Sequence, residues 1–187
     1  GYMGLYGVLR FDSKDRSVFA TEGVDFTLSG GWKFYDFFKD VKFSSFGEAQ
    51  LNFMSYLPLA AGRLVLSPQV YARFVMGDSY LLAYDNLVGG VMPGRYVSHQ
   101  LPFVGANRPE MMYNSVAVLR LDMRWNVHRR HYVTLMGNYA REANGIRNFF
   151  VPKTAYENGS MTAYDWWGVG LRYSYDLPIG PLDVDIS

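Results

Sequence analysis

The sequence predicts an all-β fold, an antiparallel transmembrane β-barrel present in part, with about eight strands of a barrel of roughly 16. Three observations lead to this prediction. Long segments alternate apolar and polar residues, the polar side carries glycines and paired charges, and the connections alternate between long and short. Outer-membrane barrels combine these three properties, because their strands separate lipid from a polar interior.

The alternation is clearest in residues 164–176. Successive side chains of a strand point to opposite faces, so odd and even positions can be read separately. The odd positions are apolar or aromatic: Trp167, Val169, Leu171, Tyr173 and Tyr175. From position 166 onward, the even positions hold Trp166 and then only small, polar or charged residues: Gly168, Gly170, Arg172, Ser174 and Asp176. We expect the odd face to contact lipid and the even face to line an aqueous lumen.

Seven further segments repeat this pattern: 3–11, 23–34, 47–57, 63–76, 113–125, 131–140 and 182–187. Aromatic residues recur near the ends of the apolar faces, where membrane barrels carry interfacial girdles. The predicted lipid-facing girdle is Trp32, Trp125, Trp167, Tyr173 and Tyr175. Pro68, in segment 63–76, is an exception to the pattern of a regular strand. It lacks a backbone N–H donor, which predicts a bulge or local fraying there.

The connections between these segments are asymmetric. Residues 58–62, 126–130 and 177–181 form short turns, whereas 35–45, 77–111 and 141–163 are long. Periodicity does not separate a short helix from a hairpin end in 35–45, and we interpret this stretch as a loop. The longest connection, 77–111, is rich in glycine and proline, and connections of this length are usually functional.

Composition excludes several classes of protein. The formal net charge of +1 lacks the excess of basic residues that is typical of nucleic-acid-binding proteins. The sequence has no cysteine, so cysteine usage does not indicate whether the protein resides in an oxidising or a reducing compartment. No stretch approaches the roughly 18 consecutive apolar residues of a membrane helix. The mean hydropathy of -0.07 is that of a soluble protein, but barrels escape hydropathy analysis because half of each strand is polar.

The sequence offers no catalytic constellation. It has neither a Gly-x-Ser-x-Gly nucleophile elbow nor a thiol. His128 and His131 flank a basic turn but lack a carboxylate or thiolate partner, so a solvated turn is favoured over a metal site. Asp183 and Asp185 are better explained by pairing with lumenal arginines than by acid–base catalysis. We therefore predict no enzymatic activity for this chain, and no cofactor or metal.

The order of these segments resembles the C-terminal part of the Omp85, or bacterial surface antigen, barrel superfamily. In that family a Gly-Gly motif opens a long loop that carries a Val/Ile-Arg-Gly-Phe/Tyr signature. The matching residues here are 89–96, Gly-Gly-Val-Met-Pro-Gly-Arg-Tyr, in which glycine and arginine are transposed. This departure argues against an assembly or translocation barrel, in which the loop arginine reaches the inner wall.

The resemblance is closer to the branch in which such a barrel follows a patatin-like phospholipase domain. It rests on residues 94–105, 131–140 and 166–171, followed by Gly180-Pro181-Leu182. It implies that the lipase domain, the first strands and the closing strand lie outside this sequence. It also implies that Arg95 anchors the long loop in the lumen, against a wall that contains charged residues of neighbouring strands: Arg120, Asp122, Arg124 and Arg172.

The leading hypothesis is thus that residues 1–187 are the C-terminal part of a bacterial outer-membrane barrel. It would anchor an upstream patatin-like lipid acyl hydrolase domain, and could serve as its conduit. The expected partners are the lipid bilayer and that upstream domain, with no nucleic acid, and a homo-oligomer is left open. Two alternatives are an Omp85-type assembly or translocation barrel and a soluble antiparallel β-barrel or sandwich that binds a ligand.

Overall fold

The structure, a computed structural model, describes residues 2–36, 45–77, 84–92, 99–106, 110–151, 156–157, 160–161 and 163–187. Within these ranges the chain forms thirteen strands: β1 (Tyr2–Asp12), β2 (Gly23–Asp36), β3 (Phe46–Leu59), β4 (Leu64–Met76), β5 (Asn86–Val88), β6 (Gln100–Leu101), β7 (Glu110–Met112), β8 (Ser115–His128), β9 (His131–Ala143), β10 (Tyr156–Glu157), β11 (Ser160–Met161), β12 (Ala163–Leu177) and β13 (Gly180–Ile186). A short helix, α1 (Ile146–Phe149), and a 3-10 turn, Ala60–Gly62, complete the described elements.

The eight long strands form one antiparallel sheet in the order β1-β2-β3-β4-β8-β9-β12-β13. Each strand pairs with the long strands before and after it in the chain, as in an up-and-down barrel. Strands β1 and β13 end the sheet and do not pair with each other, so the sheet is an open part of a barrel. The predicted all-β antiparallel fold and its eight long strands are confirmed.

The pairing register brings the apolar positions of all eight strands onto one face. Across the centre of the sheet, Val70 lies opposite Leu119, Leu119 opposite Tyr139, and Tyr139 opposite Trp167. A strand shifted by one residue would place its apolar set on the wrong face. The repeated register therefore produces one continuous apolar surface.

Burial is inverted relative to a soluble protein. On the apolar face, Trp167 is 77% exposed and Val169 is 73% exposed. On the other face, Arg73 is 1% exposed and Arg120 is 6% exposed. A soluble β module would bury the aromatic set in a shared core and expose the arginines. The structure does the reverse, as a membrane barrel requires.

The three shortest connections lie at one end of the sheet together with the β1–β2 connection, residues 13–22, and the connections that follow β2, β4 and β9 lie at the other end. Strands β3 and β4 are joined by Ala60–Gly62 and Arg63, β8 and β9 by two residues, and β12 and β13 by two residues. Two of the predicted loops differ in extent from the structure. Strand β9 continues to Ala143, inside the predicted loop 141–163, and the described remainder contains α1. Strand β2 reaches Asp36, and most of the other loop, 37–44, lies outside the described residues.

Near Pro68 the pairing between β3 and β4 is interrupted, but its register does not shift. Pairing between β3 and β4 runs to Met54 opposite Gln69 and resumes at Leu57 opposite Leu66, with the same register on both sides. On its other side Pro68 pairs with Leu121. Because proline has no N–H, the ladder loses one donor at this point. The expected irregularity is thus a local gap in pairing and not a bulge.

No helix among the described residues has the length and apolar character needed to cross a membrane.

The inverted burial predicts a strong asymmetry between the two faces. Val169 lies near the middle of β12 on the apolar face, and its replacement by Arg should destabilise the folded barrel in a bilayer by about 2–4 kcal/mol. Asn52→Arg on the polar face of β3 is the matched control and should cost much less. Equilibrium unfolding by denaturant in liposomes measures both; equal losses for the two variants would contradict the assignment of the faces.

Candidate functional site: the inner wall and the segment packed on it

Part of the long connection after β4 packs against the polar face of the sheet, the inner wall. We refer to residues 84–92 and 99–106 as the inner segment. Its strand β5 pairs with β6 in parallel and with β7 in antiparallel, and Gly90 bridges to Phe103. This small sheet satisfies backbone groups that would otherwise be buried without partners.

An apolar cluster holds the inner segment to the wall. Three residues of the cluster come from the inner segment and four from the wall: Val88, Leu101 and Phe103, with Tyr71, Val116, Val118 and Ala140. Sequence reasoning missed this contact. The signal was present, because Val116 and Val118 occupy polar-face positions of their strand, and apolar residues there indicate that something covers them.

A side-chain amide on β9 fixes the backbone of the inner segment. The Val104 N–H donates to Asn138 Oδ1 at 2.7 Å, and Asn138 Nδ2 donates to the Val104 carbonyl oxygen at 3.3 Å. On the next strand Gly168 lies opposite Asn138. A Cβ at Gly168 would come within 1.9 Å of the Val104 carbonyl oxygen, so the close approach requires glycine there.

Arg120 forms a second contact with the inner segment. Its guanidinium donates to both carboxylate oxygens of Asp122 at 2.7 Å and to the Val91 carbonyl oxygen at 2.6 Å. Gln69 Nε2 also donates to Asp122 at 3.1 Å. The bidentate ion pair holds the guanidinium flat, which leaves one of its nitrogens aimed at the inner segment. Two of the charged residues expected at the wall are thus joined to each other and to the long connection.

A third contact lies on β3 and β4. Arg73 donates to Glu48 Oε2 at 2.8 Å, to the Tyr84 carbonyl oxygen at 2.8 Å and to Asn86 Oδ1 at 2.9 Å. Lys33 forms an ion pair with the same glutamate, and its Nζ lies 4.3 Å from the centre of the Tyr84 ring. The alternation of residues 63–76 puts Arg73 on the polar face, but nothing in that pattern identifies its partners.

The other two expected wall residues contact different parts of the chain. Arg124 donates to the Ala20 carbonyl oxygen in the β1–β2 connection, and its guanidinium carbon lies 5.6 Å from the centre of the Phe19 ring. Arg172 donates to Asp185 on β13 at 2.6 Å and lies 3.8 Å from Asp183. The arginines of the inner wall therefore contact three different parts of the chain: the inner segment, the β1–β2 connection and β13. Arg95 lies outside the described residues.

Two of the cavities beside the described part of the wall are lined by charged side chains. One of about 290 Å³ lies toward the short turns and includes Phe19, Met92, Asp122, Arg124 and Arg172 in its lining. The other, of about 360 Å³, includes Lys33, Glu48, Arg73 and His99.

Partial burial lowers the pKa of His99, and the positive charge of Arg73 lowers it further, so the neutral form of the ring is favoured.

Among the described residues, no group of His, Cys, Asp or Glu side chains could hold a metal ion.

The five aromatic residues expected to form a girdle are on the opposite, apolar face. Trp32 and Trp167 lie near the end of the sheet with the long connections, and they are 49% and 77% exposed. Trp125, Tyr173 and Tyr175 lie near the end with the short turns. The two sets are thus separated along the strands.

The contact between Gly168 and Val104 gives a direct test of how the inner segment is held. Gly168→Ala should displace the segment from the wall, because the added methyl group has no space, and overpacking typically costs about 1–3 kcal/mol. Gly137→Ala is the matched control, since a Cβ at Gly137 meets nothing within 4 Å. Limited proteolysis of the folded full-length protein should show faster cleavage in the inner segment for Gly168→Ala alone. Identical cleavage of the two variants would contradict the contact.

Comparisons with known proteins agree with this architecture. Residues 1–187 match the family model described as the OMP85 superfamily. No curated protein sequence matches the chain. Among solved structures, the chain is similar to BamA from Haemophilus ducreyi, crystallised without POTRA domains 1–3, with a TM-score of 0.67 and 15% sequence identity.

This similarity covers 97% of the present chain but only 38% of the BamA chain, so the present chain corresponds to a fraction of that protein. At this identity the likeness concerns the fold. The family match extends over the whole sequence, and the chain belongs to the OMP85 superfamily, whose barrels lie in the bacterial outer membrane.

Proposed function

We propose that this chain is the C-terminal part of the barrel of a patatin-like, surface-antigen-type outer-membrane protein. In this role it anchors an upstream lipid acyl hydrolase domain in the membrane and provides a conduit for it. The observation that carries the proposal is the inner segment, which is fastened to the wall through Asn138, Arg120 and Arg73. A segment held in this way occupies part of the interior and leaves cavities lined by charged side chains beside it.

The anchoring role follows from the apolar face. Exposed apolar side chains extend over all eight long strands, and a closed barrel satisfies every backbone group by strand pairing, which hydrocarbon demands. The girdle residues Trp32 and Trp167 would mark one membrane interface, and Trp125, Tyr173 and Tyr175 the other. Aromatic residues favour this depth because one end of the ring is apolar and the other polar.

The conduit role rests on the inner wall. Arg124, Arg172 and Asp122 line one cavity, so material that passes through this part of the interior encounters charged side chains. We propose that Arg95 contributes a further contact of the long connection with this wall, alongside Arg120 and Asp122. The basis for its role is the resemblance of residues 89–96 to the family loop motif.

A second candidate is an assembly or translocation barrel of the same superfamily. The backbone likeness to BamA over 97% of the chain favours it about as well as the first candidate. The transposed glycine and arginine in residues 94–95 favour the patatin-linked branch. The first candidate predicts that the full-length protein hydrolyses lipids, and the second predicts that other outer-membrane barrels depend on it.

A paired experiment separates them. Full-length protein purified from outer membranes should release fatty acids from phospholipid vesicles, and deletion of its gene should leave the amounts of other outer-membrane barrels unchanged. Mutation of the nucleophilic serine expected in the upstream domain is the control for hydrolysis. Absence of hydrolysis would contradict the first candidate, and a general loss of other barrels after deletion would support the second.

A further inference from the structure

The end of the sheet with the short turns carries a cluster of basic side chains. We define the basic cluster as Arg63, His128, Arg129, Arg130 and His131. Arg63 follows the β3–β4 turn, and the other four residues surround the β8–β9 turn. The Asn126 N–H donates to the Arg63 carbonyl oxygen at 2.8 Å, so the two turns are adjacent in space.

Backbone hydrogen bonds fix the tip that carries two of these arginines. Asn126 Nδ2 donates to the Arg129 carbonyl oxygen at 3.2 Å, and the Asp176 N–H donates to the Arg130 carbonyl oxygen at 2.9 Å. Asp176 lies on the polar face of β12, whereas the girdle residues of that strand lie on its apolar face. The guanidinium groups therefore extend from an ordered backbone.

The charge of the cluster is not neutralised within the described part of the chain. Arg63, Arg129 and Arg130 are exposed, and none has a carboxylate oxygen within 4.0 Å among the described residues. Three arginines of the inner wall, Arg73, Arg120 and Arg172, differ in forming ion pairs, and the fourth, Arg124, donates to a backbone carbonyl oxygen. An exposed group of unpaired arginines favours an external anion.

The cluster borders directly on the apolar face. Trp125 is 59% exposed and Val127 is 55% exposed, both on β8 below the turn. His131 Nδ1 lies 2.6 Å from Tyr173 Oη, and its ring centre lies 4.8 Å from that of Tyr175. Cationic groups, ring hydroxyls and apolar rings thus follow one another along the strand axis, in the order of a phospholipid's phosphate, glycerol and acyl chains.

We propose that the basic cluster binds the phosphate headgroup of an anionic phospholipid in the periplasmic leaflet. Short turns of outer-membrane barrels face the periplasm, which selects this leaflet. Arg129 and Arg130 supply the paired donors, Arg63 adds charge from the neighbouring turn, and Trp125 and Tyr173 contact the glycerol region and the upper acyl chains. Basic residues at a membrane surface attract anionic lipids by about 1 kcal/mol each.

The test uses full-length protein in detergent, titrated with phosphatidylglycerol or with phosphatidylcholine of the same acyl chains, and bound lipids counted by native mass spectrometry. The wild type should bind phosphatidylglycerol more tightly. The double variant Arg129→Gln/Arg130→Gln should bind it on the order of tenfold or more weakly, as expected from the loss of two surface charges. Arg147→Gln, an exposed arginine in α1 at the opposite end, is the control and should bind as the wild type does.

Equal affinity of the wild type for the two lipids would overturn the proposal, as would unchanged binding of phosphatidylglycerol by the double variant. Heat-dependent mobility on gels confirms that each variant is folded. If the double variant does not fold, a salt titration of the wild type decides the matter. Binding of phosphatidylglycerol should weaken as salt increases, because exposed charges are screened, and salt-independent binding would contradict a headgroup site.

Discussion

The structure depends on one constraint: in hydrocarbon, every backbone N–H and C=O must find its partner within the protein. The long antiparallel strands meet this constraint by pairing with their neighbours, and the pairing register then decides which side chains face outward. Leu51 lies between Leu28 and Ala72 on the apolar face, while Asn52 lies between Thr27 and Tyr71 on the other. The two faces are therefore a consequence of backbone hydrogen bonding combined with a repeat of two residues.

The inner segment shows how the interior of such a wall is filled. Its attachment combines an apolar cluster near the long connections with hydrogen bonds that Arg120 and Arg73 donate to its carbonyl oxygens and that Asn138 both accepts from and donates to the Val104 backbone. Each net hydrogen bond contributes about 1 kcal/mol, so the segment is held by several modest contacts and not by one strong one. At the opposite end, the β1–β2 connection contacts Arg124 through the Ala20 carbonyl oxygen and the Phe19 ring.

Parity and turn chemistry allowed much of the fold to be predicted from the sequence. The alternation in residues 164–176 correctly divided Trp167 from Gly168, because a period of two needs no knowledge of tertiary structure. Contacts between distant residues were beyond its reach. Nothing local indicates that Arg124 contacts Ala20, 104 positions away, or that Asn138 binds the backbone of Val104. The apolar residues Val116 and Val118 on the polar face are a local sequence signal that a segment covers this part of the wall.

The central claim is that one face of the sheet contacts hydrocarbon and the other an aqueous interior. Residues 1–187 contain no cysteine, so single spin labels can be placed at Leu51→Cys and Asn52→Cys in the full-length protein, with any cysteine outside these residues replaced by serine, and the protein reconstituted in bilayers. The decisive measurement is electron paramagnetic resonance of each label with oxygen, which concentrates in lipid, and with a water-soluble nickel complex. The label at position 51 should be relaxed mainly by oxygen and the label at 52 mainly by nickel. Equal responses at the two positions, or the reverse order, would contradict the account.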